Sequence, residues 1–322
     1  MSTDLNELFS NRLEDYLNQS QNPLSYNLYH PERYTIERGG KRIRPYLVLL
    51  GALAAEGSAS NALDAALSVE LFHNFTLVHD DLLDKSLLRR GHPTVHKKWN
   101  ANQAVLSGDV MFANAIHVLS NYPDELCGKL NKTLSLTAKE VCEGQQMDLD
   151  FENLTQLTES NYLEMIRLKT AVLLGCALKM GSITAQGSAT LSSTLYQFGV
   201  EIGIAFQILD DYLDAFSDTG SAFGKTIGGD ILNDKKTLLW VLSRSVAAEP
   251  ILSLPSNHPE YSKHKIEAYL NWFKVTGAKD ECIKRVTAYH DRAKNGVPDV
   301  SKNPEIQDLF YKLLYDLQQR LT

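Results

Sequence analysis

Apolar residues recur at spacings of three and four along nearly all of this 322-residue chain, and strict period-two alternation between turn residues is hard to find. A chain with that pattern buries its apolar surface as helices. The expected fold class is therefore all-α: one large helical bundle around a deep apolar cavity, with residues 1–322 as a single domain. The clearest segment covers 61–85, with Leu63, Leu67, Leu71, Phe75, Val78 and Leu82 on one apolar stripe. Further helices are expected at 103–120, 130–149, 160–180, 191–216, 237–247, 264–275 and 304–321. The breaks at 21–27, 218–234, 250–262 and 295–303 are short and polar, and none reads as an interdomain linker.

Composition narrows the function classes. With 43% hydrophobic residues the chain can bury a large core, which excludes disorder and a disulfide-stapled miniprotein. A formal charge of -7 argues against a protein that coats nucleic acid, so an anionic substrate would need local cations. Cys127, Cys142, Cys176 and Cys282 form no CxxC pair, which fits a reducing cytoplasm. The first ten residues are polar and acidic where a secretory signal would be basic and then apolar. The longest apolar stretch, 46–55, is about half of what a membrane span needs, so no membrane span is expected.

One motif occurs twice. Asp80, Asp81 and Asp84 spell DDxxD on the 61–85 helix, and Asp210, Asp211 and Asp214 spell it again on the 191–216 helix. Residues four apart on a helix lie about 40° apart around its axis, so Asp80 shares a face with Asp84, and Asp210 with Asp214. Like charges at that spacing destabilise a helix unless a cation offsets them. Hard divalent ions are the natural candidates, and magnesium uses one or two carboxylates together with waters and substrate phosphates. One DDxxD alone is readily explained as an exposed acidic helix end; two, each following an apolar stretch, favour metal binding. His73 sits two turns before Asp80 on the same stripe, and Gln207 sits three residues before Asp210.

Cations gather at helix ends. Lys41, Arg42 and Arg44 follow Gly39 and Gly40, where a flexible start lets phosphate oxygens approach. Arg89 and Arg90 follow the first acidic motif, Lys169 and Thr170 interrupt an apolar helix, and Lys225, Lys235 and Lys236 come after the second motif. Cations beside acidic metal motifs in an acidic protein point to a diphosphate neutralised by both.

These runs, with the Gly144, Gln145, Gln146, Met147, Asp148 and Leu149 segment, closely resemble the trans-isoprenyl diphosphate synthases, the chain-elongating prenyltransferases that include farnesyl and geranylgeranyl diphosphate synthases. The resemblance extends from about Gly39 to Thr237. It implies that Lys41, Arg44, His73 and Arg90 hold isopentenyl diphosphate, and that Arg89, Lys169, Thr170, Gln207, Lys225 and Lys235 hold the allylic diphosphate. It further implies that Asp80, Asp84 and Asp210 bind magnesium, three ions with substrate, while Asp81, Asp211 and Asp214 support them. A cytoplasmic homodimer is implied as well.

Product length should depend on how far the growing tail descends beside the first DDxxD. Phe75 and Phe72 precede Asp80 by five and eight residues and could obstruct it, whereas the fourth position before the motif is the smaller Thr76. By resemblance this leans toward a product of 20 carbons within a range of 15 to 20. The competing readings are a terpene cyclase and a noncatalytic partner of another prenyltransferase. The first would carry a different second metal motif, and the second would have lost metal ligands that this chain keeps.

Overall fold

Helices account for nearly all the regular structure in the computed structural model, which describes residues 2–19, 26–217 and 228–319. The chain divides into two compact units. The first comprises Met1–Thr137, Leu173–Gly199 and Pro298–Leu309; the second comprises Ala138–Val172, Val200–Val297 and Phe310–Thr322.

The first unit begins with α1 (Ser2–Gln19), α2 (Tyr26–Glu37), α3 (Ile43–Ala54), α4 (Leu63–Leu83), α5 (Val95–Lys98) and α6 (Ala101–His117). The segment expected at 61–85 is α4, but it is more deeply placed than one apolar stripe implies. Its residues 65–72 are all buried, right round the helix. Polar side chains in that stretch therefore need partners. Ser68 donates to the Ala115 carbonyl at 2.6 Å, and Glu70 accepts from Asn74 at 2.9 Å. Two reciprocal glycines let α3 and α9 (Val172–Thr184) approach closely. A Cβ on Gly51 would stand 2.2 Å from the Leu178 carbonyl oxygen, and one on Gly181 would stand 1.9 Å from that of Val48. After α4 the chain reverses through a two-residue antiparallel ladder, with Leu88 opposite Pro93 and Arg89 opposite His92.

The second unit holds the C-terminal part of α7 (Asp124–Phe151), then α8 (Glu159–Ile166), most of α10 (Ala189–Phe216), α11 (Gly229–Leu232), α12 (Leu238–Val246) and α13 (Tyr261–Val275). Thr158 and Asn161 form a reciprocal capping box that starts α8. The two remaining helices, α14 (Ala278–Val300) and α15 (Pro304–Gln318), each contribute to both units.

Two sequence expectations need correcting. The break at 295–303 is mostly helical, because α14 continues through Pro298 to Val300. Val297 and Val300 are fully buried there, and that packing outweighs the missing proline N–H near the helix end. The 160–180 segment is also not one regular helix, since the backbone at Arg167–Ala171 widens into a π turn between α8 and α9. No helix among the described residues is long and apolar enough to cross a membrane.

Candidate active site

In the first unit the basic run 39–45 is shaped by backbone geometry. Gly39 and Gly40 have φ of 79° and 144°, and Arg42 is left-handed at 48° before α3 begins. Position 40 favours glycine because its φ of 144° is one that L side chains rarely adopt; the Arg90 guanidinium lies close by, 2.8 Å from where a Cβ would stand. Arg42 does not reach out for a ligand; it forms an ion pair with the buried carboxylate of Glu70 and donates to the Ile36 carbonyl. Arg44, in the first turn of α3, donates from Nη1 toward His73 Nε2 at 3.0 Å.

That contact settles the state of His73. Burial drives its imidazole well below the usual histidine range, and Arg44, Arg90, Arg89 and Arg42 push it further the same way. It is therefore neutral, and with Nε2 accepting from Arg44, the proton sits on Nδ1. Burial also lowers the Arg44 guanidinium to about 10, partly offset by Glu70, which leaves it charged at neutral pH.

The first acidic motif divides by role. Asp81 is buried, and both its oxygens accept from Arg89 Nε at 2.8 Å. Burial raises its carboxyl and Arg89 reverses this only in part. Asp80 and Asp84 are half-buried, and Lys41 and Arg90 are exposed. Phe72 is fully buried, whereas Phe75 is half-buried and stacks on Phe112 of α6 at 5.2 Å between ring centroids. Thr76 turns its hydroxyl onto the His73 carbonyl at 2.8 Å.

In the second unit the π turn places Lys169 and Thr170. Two glycines from neighbouring helices hold it. A Cβ on Gly144 of α7 would meet the Lys169 backbone nitrogen at 2.3 Å, and one on Gly203 of α10 would meet Ala171 Cα at 2.5 Å. Such widened turns frequently mark functional positions. Lys169 Nζ donates to Asp148 Oδ2 at 2.6 Å. Lys235 Nζ donates to the same oxygen at 3.1 Å and to Glu152 at 2.8 Å. Burial would raise the Asp148 carboxyl, but the two lysines outweigh it and hold the group below its usual range.

A second chain of hydrogen bonds organises the second motif. Thr170 donates to Gln207, Gln207 donates to Asp211 Oδ1 and Tyr162 donates to Asp211 Oδ2, at 2.9, 2.8 and 2.8 Å. Burial pushes the Asp211 carboxyl up to about 7, against the pull of those two donors. Asp214 accepts from the Asp230 backbone N–H at 3.0 Å and so anchors the start of α11. Lys236 lies over the Trp240 ring at 4.4 Å. Lys225 falls outside the described residues.

Sequence reasoning missed Glu70, Tyr162 and Asp148 as partners of these groups. Asp148 stood within a quoted motif but without a role; Glu70 sits on the same helix as His73, yet nothing in its spacing signals Arg42. Gln145, in the same segment, is likewise without a sequence-assigned role, and both polar atoms of its amide are buried without a partner.

The donor set suits a hard divalent cation. The oxygens are carboxylates, and among the described residues no three His, Cys, Asp or Glu side chains converge into a ready-made cage. Carboxylate oxygens are the ligands that hard divalent cations prefer.

Comparisons with known proteins place the chain in a family. Residues 25–269 match the family described as polyprenyl synthetase. The chain is 34% identical over 304 residues to a geranylgeranyl pyrophosphate synthase of Geoglobus acetivorans, covering 94% of this chain and 92% of that one. It is 35% identical over 271 residues to a geranylfarnesyl diphosphate synthase of Natronomonas pharaonis, covering 79% and 78%. A crystal structure of geranylgeranyl pyrophosphate synthase superimposes with a TM-score of 0.90 at 37% identity, covering 98% of each chain. Doubled acidic motifs, a neutral histidine held by a half-buried arginine and two lysines ordered on one carboxylate thus accompany a match over most of the sequence, and the chain belongs to the polyprenyl synthetase family.

Proposed function

We propose that this prenyltransferase condenses isopentenyl diphosphate with an allylic diphosphate (dimethylallyl, geranyl or farnesyl) to give an all-trans product of 15 to 20 carbons, with 20 favoured. The observation that carries this reading is that ordered cations accompany an acidic motif in each unit: Arg89 on Asp81 and Arg44 on His73 in the first, and Lys169 and Lys235 on Asp148 in the second, where Thr170 reaches Asp211 through Gln207. Lys41, Arg44, His73 and Arg90 would hold isopentenyl diphosphate, and Arg89, Lys169, Thr170, Gln207, Lys225 and Lys235 the allylic diphosphate.

The family uses a divalent metal. In this reading Asp80, Asp84 and Asp210 hold magnesium, three ions with substrate bound, and the metal when bound supplies positive charge against the departing diphosphate. Lys169 and Lys235 add charge on the allylic side, which favours separation of the allylic carbon from its oxygen. His73 serves as a neutral donor through Nδ1–H, while Arg44 fixes its ring and adds the charge. The double bond of isopentenyl diphosphate then attacks the allylic cation. The proton lost afterwards goes to the released pyrophosphate, so no histidine is needed as a base. An apolar cavity excludes water that would quench the cation.

The whole chain, 1–322, acts as one domain in this reading, in the cytoplasm and as a homodimer. The exposed Val105, Leu106 and Ile116 on α6 support association. The test is incubation of purified protein with isopentenyl diphosphate, magnesium and each allylic primer in turn, followed by chromatography of the products. A 20-carbon product is expected, abolished by a chelator. Failure to elongate any primer would sink the reading.

A further inference from the structure

The two lysines proposed for the allylic diphosphate share one buried atom. Lys169 and Lys235 both donate to Oδ2 of Asp148, at 2.6 and 3.1 Å, although they lie 21 and 87 residues from it in sequence. Two ammonium groups on one oxygen lie within two hydrogen-bond lengths of each other, where like charges repel unless an anion stands between them. Asp148, buried in the second unit, is that anion. Its helix grips Lys169 at two points. Gly144, one turn earlier on α7, closes against the Lys169 backbone nitrogen, while Asp148 takes the ammonium.

Glu152 is a different kind of partner. It also accepts from Lys235, at 2.8 Å, but it is exposed. Exposed ion pairs are weak and screened by solvent, whereas removing one partner of a buried pair is strongly destabilising. An arriving anion can therefore displace Glu152 from Lys235 far more easily than it can displace Asp148.

We propose that Asp148 is the positioning residue of the allylic diphosphate site, holding the Lys169 and Lys235 ammonium groups side by side, and that Glu152 is the partner Lys235 releases when a diphosphate oxygen arrives. This rests on the prenyltransferase reading and adds a residue to it. A purely structural role for Asp148 would instead lower stability and affect both substrates alike.

The experiment compares wild type, D148N, D148E and E152Q. Steady-state kinetics varies geranyl and isopentenyl diphosphates separately, and calorimetric titration uses inorganic pyrophosphate with magnesium chloride. D148N should raise KM for geranyl diphosphate by roughly tenfold or more, leave KM for isopentenyl diphosphate within about twofold, and weaken pyrophosphate binding by a similar factor to the first. D148E keeps the charge but shifts the ammonium groups, so it should fall between D148N and wild type; it carries the comparison if D148N does not fold. E152Q should stay within about threefold of wild type. Equal rises in both Michaelis constants, unchanged constants, or E152Q matching D148N would overturn the proposal. If wild type elongates no primer, the prenyltransferase reading falls, while the role of Asp148 still stands or falls on the pyrophosphate titration.

Discussion

The two DDxxD motifs share a sequence pattern but sit in different electrostatic settings. In the first unit the middle aspartate, Asp81, is tied to a cation, Arg89, eight residues away. In the second, Asp211 is tied to two neutral donors, Gln207 and Tyr162, the latter 49 residues away. Around the first motif burial, and then the neighbouring arginines, keep His73 neutral; in the second unit the Asp148 carboxylate gathers two lysines. The same sequence pattern thus acquires a different setting from its partners, and even the outer positions differ, since Asp214 accepts from the Asp230 backbone N–H at the start of α11.

The largest expected effect tests the metal-binding role that Asp80 and Asp210 share in the proposed reading. D80A and D210A should each cut turnover by roughly a thousandfold while leaving helicity by circular dichroism unchanged, since in the proposed reading each removes a ligand of the metal that would offset the diphosphate charge rather than a packing contact. Near-normal turnover in one of the two would show that Asp80 and Asp210 do not share that role. Stability should separate the middle aspartates. R89A leaves Asp81 buried and unpaired, costing about 3 kcal/mol, whereas Y162F removes one neutral hydrogen bond from Asp211 and should cost about 1 to 2 kcal/mol in urea denaturation. The reverse order would contradict the contrast between a charged anchor and a neutral one.

Kinetics sharpens the comparison further. R44A should mainly raise KM for isopentenyl diphosphate, and K169A should mainly raise KM for the allylic substrate, each by about tenfold or more. Equal effects of both variants on both constants would mean that the two cation sets are wrongly apportioned.

What the sequence revealed follows the reach of each interaction. The helical class, α4, α6 and α10 were legible because apolar spacing is local, and the outer aspartates were legible because four residues make one helical face. Asp148 was visible as a letter in a motif, but its role depends on Lys235, 87 residues on. Nothing near Tyr162 in the sequence signals Asp211, 49 residues on. The π turn escaped for a related reason: Gly144 and Gly203, which make room for it, sit on other helices. Glycine-to-backbone contacts of that kind leave no periodic trace. The polar stretch 295–303 reads as a break for the opposite reason, because burial of Val297 and Val300 carries α14 through it despite Pro298.

Of His73 and Asp148, acid should reach His73 first. His73 is held neutral in the fold, so on lowering the pH through its ordinary value near 6.5 the unfolded chain takes a proton that the folded chain refuses. Stability is therefore present above that value and lost below it, by at most about 1.4 kcal/mol per pH unit. Asp148 is shifted downward, so its contribution is present above the ordinary carboxyl value and is lost only as pH falls below about 4. Urea denaturation between pH 7.5 and 5.5 should show a shallower pH slope in H73Q than in wild type, with D148N keeping the wild-type slope over that window. Identical slopes for wild type and H73Q would mean that His73 titrates normally.

The smallest effect on rate, though not on outcome, is expected at Phe75. Its ring stacks on Phe112 at 5.2 Å and meets His79 at 4.8 Å and Phe72 at 5.4 Å, so α4 and α6 hold it from several sides within the first unit. Phe72 is fully buried, whereas Phe75 keeps part of its surface accessible and is the better candidate to meet a growing tail. Truncating it removes an aromatic stack and a bulky stop without touching an aspartate or a cation. F75A should therefore keep turnover within about tenfold of wild type while the product lengthens by one or more five-carbon units, read by chromatography of the dephosphorylated alcohols. F112A, which removes the other half of the stack, should lengthen the product less, because Phe75 remains in place but loses its support. An unchanged product distribution in F75A would move the stop to Phe72 or to another helix, and a wild-type product of 30 carbons or more would refute the assignment of these rings to chain length.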